Sequence, residues 1–531
     1  MCSNAEVCPK CAFSLTRAIK HFPNQPGSNM IRKAILTLPL LLVWALLPGT
    51  SLGQDFEEWL RINQQQFDGF REEQNRAFEE MLRQHWELVD GVTPESFLKE
   101  EKPPTSPVLK PDTVSGPAPD PDIRSESELP PPYTLPPVDP DAHPPERQKP
   151  ESKQIELPDI FDFDQPVIQV NFFGHLLDVP FDTSLNRLSL NNPYSAEGIA
   201  SFWKQLSESD IDSPVHYFKE VQKLMQINDW GTARLIFSTG LVAFSGDRDR
   251  AKLYTWFMII QSGRKARVGF HDEGIVLMLA TESHLYGIPF FRFDDRPFFV
   301  ASFDKAPAEY NRVFTYRADF PGQLLPLSLR IPKIPAFQPD YVNRDFSFSF
   351  RDEQIEFQVR VNRNLIAFYE YFPQTELDIY FNAPVSQTTA DDLTRSLAMH
   401  LEGRTEKETI HLLLHFVQNA FGYKIDLDNF GREKPLFPEE TLYYSYSDCE
   451  DRAILFSYLV QKLTDLDVVA LRYPGHIATA VRFDEQFSGD TINIGGVTYH
   501  VCDPTYINAG PGMAMERYQD RVPEIITIEN N

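Results

Sequence analysis

The chain has 531 residues, 42% of them hydrophobic and 41 of them phenylalanine, so it is long enough for two or three folded units with sizeable cores. Its formal net charge of −26 repels phosphate backbones and anionic lipid surfaces, and the sequence offers no local basic patch, so nucleic acid is excluded as an expected partner. The 43 prolines indicate that part of the chain is not packed.

A secretory signal is indicated by residues 30–53. A basic start at Arg32 and Lys33 precedes an apolar run of about a dozen residues, shorter than the roughly 20 that span a bilayer, and small residues end it. We expect an exported protein, periplasmic or extracellular, with the signal cleaved before Gln54. A retained membrane anchor is the alternative.

The segment 1–29 lies ahead of that signal, and we interpret it as an extension upstream of a true start at Met30. It holds three of the five cysteines, but its single Cys-Pro-Lys-Cys pair lacks the second pair that a zinc ribbon needs. The mature chain would carry Cys449 and Cys502, which in an exported protein could form a disulfide or remain free thiols.

Residues 54–90 repeat every eleven positions, with phenylalanine at positions 56, 67 and 78. An apolar pair that returns every eleven residues keeps one stripe on one side of a nearly straight helix. The repeat predicts one amphipathic helix of about 35 residues, roughly 50 Å long. Because a lone helix leaves such a stripe exposed, we expect it to dock on the folded body, to self-associate or to bind a partner.

Residues 91–155 are acidic and rich in proline, as in "LPPPYTLPPVDPDAHPPE". This composition has too little apolar surface to form a core and is typical of extended chain. It predicts a disordered linker.

Three folded domains are predicted after the linker, in an α+β protein. Residues 156–300 read as helices followed by strands, and residues 396–531 do so again. Between them, residues 301–395 alternate apolar and polar side chains in "DFSFSF" and "IEFQVRV", which predicts a β-rich domain.

The first and last of these regions share a short match. The stretch "SGDRDRAKLYTWF" (245–257) aligns without gaps to "SDCEDRAILFSYL" (447–459), with five of thirteen positions identical. The match is either chance or the sign of two copies of one domain. In two copies, Asp247 would stand at the position of Cys449 and Glu273 near that of His476, so the first copy would lack both thiol and imidazole.

A nucleophilic triad is predicted in residues 396–531. Cys449 begins an apolar helical run, so the helix dipole would stabilise its thiolate. His476 opens a strand after a Pro-Gly turn, and Asp503 ends another strand. Adjacent antiparallel strands would place the imidazole beside the carboxylate that orients it, with both facing the helix end.

These residues resemble the transglutaminase-like superfamily, which includes bacterial transglutaminase-like cysteine proteinases. The motifs "DCEDRA", "PGH" and "DPTY" follow in that family's order within roughly 405–515. The resemblance implies a papain-like fold with Cys449 as nucleophile, His476 as general base and acid, and Asp503 as the orienting carboxylate. It implies that 156–300 is a degenerate, non-catalytic member.

The oxyanion donors and the substrate contacts are less well specified. Ile477 and Ala478 follow the histidine where many members have an alanine and an aromatic, so the sequence departs from the family pattern beside the base. The backbone N–H of Cys449 is the minimal oxyanion donor, and the hydroxyl of Tyr446 is a further candidate. Cys502 lies on the strand face opposite Asp503 and is expected in the core.

Three carboxylates surround the cysteine: Asp448, Glu450 and Asp451. In the first turn of a helix such groups favour the helix. They would also raise the pKa of the thiol unless neutralised, and Arg452 is one candidate for that. Because some bacterial relatives bind calcium near this motif, calcium bridging these three carboxylates is an alternative, and no other cofactor is expected.

The function that we expect is acyl transfer from a protein or peptide amide through a thioester. Hydrolysis by water would make a cysteine peptidase or amidase, and attack by an amine would make a cross-linking transglutaminase. The alternative of another class is a non-catalytic interaction or assembly protein that keeps a residual triad.

Overall fold

The structure, a computed structural model, describes residues 52–97, 102–109, 166–190, 194–272, 274–304 and 310–529. The helices in these ranges are α1 (Leu52–Gln84), α2 (Ala196–Ser207), α3 (Asp212–Leu224), α4 (Asp229–Ala243), α5 (Arg248–Gln261), α6 (Arg363–Glu370), α7 (Leu377–Phe381), α8 (Gln387–Leu401), α9 (Glu406–Asn419), α10 (Asp426–Phe430), α11 (Pro438–Tyr443) and α12 (Cys449–Leu463).

The strands are β1 (Trp86–Asp90), β2 (Val167–Phe172), β3 (His175–Pro180), β4 (Ala266–His271), β5 (Gly274–Leu279), β6 (Phe290–Phe293), β7 (Arg296–Val300), β8 (Arg312–Tyr316), β9 (Tyr341–Phe350), β10 (Glu353–Asn362), β11 (Gly422–Tyr423), β12 (Tyr446–Ser447), β13 (Val468–Tyr473), β14 (His476–Val481), β15 (Thr491–Ile494), β16 (Val497–Cys502) and β17 (Glu524–Thr527). Helices pack on antiparallel sheets, which confirms the α+β class.

The eleven-residue repeat folds into α1, but the helix ends earlier than predicted. Contacts divide the chain into two units, 1–73 and 74–531, and α1 begins in the first and ends in the second. Within the second unit Phe78 is buried, and its ring meets Trp203 edge-on with the centroids 4.7 Å apart. The last turns of α1 therefore dock on that unit, one of the three outcomes that the stripe predicted.

The predicted continuation of this helix to residue 90 is wrong. Residues 86–90 form β1, which pairs antiparallel with β8 and sets Trp86 opposite Tyr316. The open edge of a sheet offers backbone partners that the helical periodicity does not reveal, and tryptophan and valine suit a strand.

Two sheets share one arrangement. The first has the order β1-β8-β4-β5-β7-β6 and the second β17-β13-β14-β16-β15, so they match strand for strand once β1 is set aside. Helix α5 packs on β4 and β5, as α12 packs on β13 and β14. The hairpins agree in register, because His271 faces Gly274 in the first and Tyr473 faces His476 in the second.

Residues 301–395 are less β-rich than expected. Of their strands, β8 joins the first large sheet and β9 and β10 form a two-stranded hairpin, after which the chain turns helical in α6, α7 and α8. The helices arise where the alternation gives way to apolar runs such as "NLIAFYE", most of which is buried. One core of buried side chains runs from Phe78 to Ile528, so the three predicted domains are not separated by their packing.

Part of the predicted linker is folded. Val92 pairs with Phe290, and Phe97 is 2% exposed, with the guanidinium of Arg472 over its ring and donating to its carbonyl oxygen. The prediction of disorder is therefore wrong for the described residues 91–97 and 102–109. Composition averaged over the segment hides the few side chains that find distant partners.

The predicted signal at 30–53, but for its last two residues in α1, the extension ahead of it and the linker from residue 110 to 155 lie outside the described residues. Among the helices that the structure describes, none is both long and apolar enough to cross a membrane.

Candidate active site

Cys449 is the first residue of α12, as its place before an apolar run predicted. The carboxylate of Asp451 accepts hydrogen bonds from the backbone N–H of Asp448, at 3.1 Å, and of Leu436, at 2.8 Å. This fixes the start of the helix, and α12 packs its buried apolar side chains on the second sheet. The fixed helix start holds the thiol where the dipole of α12 acts on it.

The thiol of Cys449 is fully buried and donates to Oε2 of Glu450 over 3.1 Å. Burial, followed by the charges of Glu450 and Asp448, raises the pKa of the thiol well above its usual range, and the ammonium of Lys102 opposes this shift only in part. In this closed arrangement the sulfur carries its proton.

His476 and Asp503 form the pair that their strands predicted. His476 opens β14 and Asp503 follows β16, its antiparallel neighbour, and Nε2 of the ring lies 2.8 Å from Oδ2 of the carboxylate. The other oxygen, Oδ1, accepts from the backbone N–H groups of Thr505 and Tyr506 at 2.9 and 3.2 Å. Both groups are buried, so the ring is held in one orientation.

The second ring nitrogen of His476, Nδ1, makes no hydrogen bond within the described residues although it is buried. Cys449 donates to Glu450 instead, so the structure joins the imidazole to the carboxylate but does not hydrogen-bond it to the thiol. Tyr518 stacks on the imidazole with ring centroids 5.0 Å apart. Burial raises the pKa of Tyr518, and the guanidinium of Arg517 opposes this shift.

Tyr446, the predicted oxyanion donor, lies with its ring beside Gly422 and Lys424. Its ring lies so close to Gly422 that a β-carbon there would come within 2.7 Å of it, and Lys424 lies over its face. A second tyrosine, Tyr423, lies near the thiol. Burial, and then the negative charge that Cys449 carries as a thiolate, raise the pKa of Tyr423. Its hydroxyl donates to the carbonyl oxygen of Pro103 over 2.8 Å.

An ammonium lies in the acidic cluster that the sequence assigned to calcium. Nζ of Lys102 lies 2.7 Å from Oδ2 of Asp448 and 3.0 Å from Oδ2 of Asp426, and it also bonds Glu450. Glu433 completes the ring of carboxylates at 3.0 Å. We call Asp426, Glu433, Asp448 and Glu450 the acidic pocket.

Of the three predicted metal ligands, Asp448 and Glu450 belong to this pocket, whereas Asp451 is turned to backbone N–H groups. Arg452, the predicted counter-charge, instead donates to Ser447 Oγ and to two backbone carbonyl oxygens. A calcium ion held by Asp448 and Glu450 would have to displace Lys102, because the ammonium already lies between their oxygens.

The residues of the acidic pocket and Lys102 shift each other's pKa values. Burial, then the charge of Asp448, raises the pKa of Asp426 to about 7, although Lys102 opposes the shift. Burial alone would lower the pKa of Lys102, but the carboxylates of Asp448, Glu450 and Asp426 outweigh it and raise that pKa well above its usual value. These carboxylates therefore favour the charged form of the lysine.

Two further side chains complete the surroundings. The amide of Gln418 donates from one nitrogen to the carbonyl oxygens of Asp503, Tyr506 and Ala509 at 2.9–3.1 Å and so holds the loop that carries Asp503. Cys502 is buried and both it and Cys449 are free thiols. The core position predicted for Cys502 is confirmed, and the disulfide alternative is wrong.

The matching positions of the first sheet carry other groups. Asp247 caps α5 by accepting from the N–H groups of Asp249 and Arg250, both at 3.0 Å. Gly274 opens β5 as His476 opens β14, whereas Glu273, which the sequence placed near His476, lies outside the described residues. The first sheet therefore has neither thiol nor imidazole at these positions.

Sequence reasoning missed Lys102, Asp426, Glu433, Tyr423 and Tyr518. No local sequence pattern identifies them, because the contacts that place them at the site are with residues distant in the chain. Comparison with known protein families and with curated protein sequences finds no match for this chain.

Proposed function

We propose that the region from residue 396 on is a thiol-dependent acyl-transfer enzyme of the transglutaminase-like type that cleaves a peptide or amide bond. The observation that carries this is the buried pair of His476 and Asp503 on the sheet that packs against the helix starting at Cys449, where Nδ1 has no hydrogen-bond partner among the described residues. An unsatisfied buried ring nitrogen costs free energy, and a proton-transfer role gives it a reason to persist.

The chemistry follows from the tautomer that Asp503 selects. Its carboxylate accepts from Nε2–H, which leaves the lone pair of a neutral ring on Nδ1. Nδ1 takes the proton of Cys449, the thiolate adds to the carbonyl carbon, and the imidazolium returns the proton to the leaving amine as the C–N bond breaks. Water, deprotonated at Nδ1, then cleaves the thioester and restores the thiol.

This cycle requires a change from the closed arrangement. The thiol must exchange its hydrogen bond to Glu450 for one to Nδ1 of His476, which a rotation about the Cα–Cβ bond of Cys449 can begin. Tyr423 is the side chain best placed to replace Tyr446 as oxyanion donor, because its hydroxyl already donates to a peptide carbonyl oxygen near the thiol. The proposal uses no cofactor.

We also propose that the two sheets are copies of one papain-like domain and that the first copy has lost its triad. The equal strand order and hairpin register support this beyond the thirteen-residue match. Export from the cytoplasm remains part of the proposal and rests on the signal at 30–53 alone. Cell fractionation of the tagged full chain tests that part.

The test of the enzyme is the rate at which iodoacetamide labels Cys449 near neutral pH, mapped by mass spectrometry. We expect His476→Ala to slow labelling by about tenfold or more, since the base that forms the thiolate is lost. His500→Ala, on the neighbouring strand, is the matched control, and Cys502 is the internal one. Equal rates in His476→Ala and in the unaltered protein would contradict the proposal.

A second candidate, a non-catalytic interaction protein with a residual triad, is favoured by one observation. The thiol is buried and bonded to Glu450 rather than to His476. That protein would show thiol reactivity independent of residue 476, so the same labelling experiment separates the two functions.

A further inference from the structure

Residues 102–109, which we call the strap, run along the candidate active site with bends at Pro104 and Thr105. At one end Lys102 enters the acidic pocket. At the other end the backbone pairs with Ile507, whose carbonyl oxygen accepts from Leu109 N–H at 3.0 Å and whose N–H donates to Pro107 at 2.9 Å. The strap is thus anchored on both sides of the site.

Each anchor involves a residue next to the triad. Glu450 accepts from Lys102 with one oxygen and from the thiol of Cys449 with the other. Ser106 donates to the carbonyl oxygen of Thr505 over 2.7 Å, and the N–H of Thr505 in turn binds the carboxylate of Asp503.

The contacts are those with which an enzyme groove holds an extended peptide. They consist of strand-like main-chain pairing, a backbone carbonyl bonded by Tyr423, and one charged side chain in a complementary pocket. The prolines of the strap restrict its backbone before it binds, which lowers the entropy lost on docking.

Packing does not hold the strap in place. None of its residues belongs to the described hydrophobic core, and Val108 is 53% exposed. Apart from Lys102, the strap is held by a few hydrogen bonds, each weak on balance against water. Release of the strap therefore requires Lys102 to leave the acidic pocket but disrupts no part of the hydrophobic core.

We propose that the strap occupies, as a pseudosubstrate, the groove that binds the peptide substrate, and that this groove takes extended peptides that place a lysine side chain in the acidic pocket. The identification of the groove with a substrate site rests on the proposed function. That the groove binds such a peptide, and that the strap covers Cys449, do not depend on the proposed function.

The experiment loosens the strap in the full chain. Leu109→Pro removes the main-chain donor to Ile507, and Ser106→Ala removes the hydroxyl bound to Thr505. Thr105→Ala, at an exposed position of the strap, is the matched control. Two readouts are measured: the rate of Cys449 alkylation, mapped by mass spectrometry, and the binding of a fluorescent octapeptide with the sequence of residues 102–109.

We expect the double variant to label Cys449 about tenfold faster or more, the size expected for the loss of two hydrogen bonds. The octapeptide should bind the double variant and restore slow labelling, and a peptide with norleucine in place of the lysine should bind about tenfold more weakly or worse. The Thr105→Ala protein should behave as the unaltered one.

Labelling of the double variant at the unaltered rate, or failure of the octapeptide to bind it, would overturn the proposal. Neither readout needs turnover. Fast labelling that persists when His476→Ala is added would support the groove and reject the acyl-transfer function, whereas labelling that depends on His476 but not on the strap would reject the groove alone.

Discussion

The two helix-and-sheet regions share one strand order but carry different side chains at matching positions. In the first, Gly274 leaves space for the carboxylate of Asp249, which accepts from the N–H of Ile275 at 3.1 Å and from the hydroxyl of Tyr194 at 2.6 Å. In the second, the matching strand start is His476, whose Nδ1 has no such partner among the described residues. The matching strand starts thus carry a glycine beside a hydrogen-bonded carboxylate in the first region and a buried imidazole in the second.

The chain before each site helix differs as well. Helix α4 is joined to α5 by residues 244–247, whereas residues 420–448 separate α9 from α12. That longer connection supplies Tyr423, Asp426 and Glu433. Three of the four carboxylates of the acidic pocket and the candidate oxyanion donor therefore lie in a connection that is much longer than its counterpart in the first region.

The largest expected effect is a loss of activity that follows a substitution in the second region but not the matched one in the first. Asp503→Asn should lower the rate of Cys449 acylation by about 10³–10⁴-fold, because the amide no longer selects the tautomer with a free Nδ1. Ser302→Ala, which follows β7 as Asp503 follows β16, is the matched change in the first region and should leave the rate unaltered. A similar loss in both variants would remove the functional distinction between the sheets.

Tyr423→Phe tests whether the connection of residues 420–448 supplies the oxyanion donor. Loss of the hydroxyl should slow acylation by about 10²-fold, the usual effect of removing one oxyanion donor. Tyr446→Phe is the control and should stay near the unaltered rate, since its ring packs on Gly422. The opposite order of the two variants would return the oxyanion role to the tyrosine that the sequence indicated.

Lys102→Met compares the charge networks of the two regions by urea unfolding. Breaking an ion pair that stays buried costs ~3–5 kcal/mol. We expect a loss of only about 2 kcal/mol, because the strap can lift and let water reach the carboxylates. Lys252→Met in the first region, where Lys252 bonds the partly exposed Asp249, should cost under ~1 kcal/mol. Equal losses in the two variants would contradict the burial of Lys102 in the acidic pocket.

The pH dependence of stability should show the pocket directly. Since the folded pKa of Asp426 is about 7, above its ordinary unfolded value near 4, the folded state binds the proton more tightly. The unfolding free energy should then fall as pH rises from about 4 to about 7, by at most ~1.4 kcal/mol per unit for this group. Asp426→Asn should flatten that slope in chemical denaturation, and an unchanged slope would refute the assignment.

The smallest effect on the reaction of Cys449 is expected for Gly274→Ala. At φ +149° an added β-carbon would meet Oδ2 of Asp249 at 2.9 Å, so a loss of stability of about 1–3 kcal/mol should appear in thermal unfolding. Gly263→Ala, with positive φ but open space, should cost less. Neither variant should change acylation of Cys449. A change would mean that the first region takes part in the reaction.

Much of the site could be predicted from the sequence where short-range patterns carry it. A cysteine before an apolar helical run fixed the position of Cys449, and two strand ends in neighbouring antiparallel strands placed His476 beside Asp503. The period of 3.67 residues predicted α1, but its end depended on a sheet edge that Trp86 finds far along the chain.

What escaped prediction depended on distant contacts. Lys102 lies in a proline-rich stretch whose composition indicates disorder, and its partners Asp426 and Asp448 come more than three hundred residues later. No periodicity encodes such a pairing, and from the carboxylates alone the sequence offered support of the helix start, with calcium as an alternative. The orientation of the thiol toward Glu450 is likewise a matter of packing and not of sequence pattern.

The most direct test is acylation of the protein by p-nitrophenyl acetate, a small acyl donor that needs no knowledge of the substrate, followed by peptide mapping. With the strap loosened by Leu109→Pro, we expect one acetyl group on Cys449 that neutral hydroxylamine removes, and none when His476→Ala is added. A Cys449 that stays unmodified in the loosened protein, or that is acylated equally without the imidazole, would contradict the account.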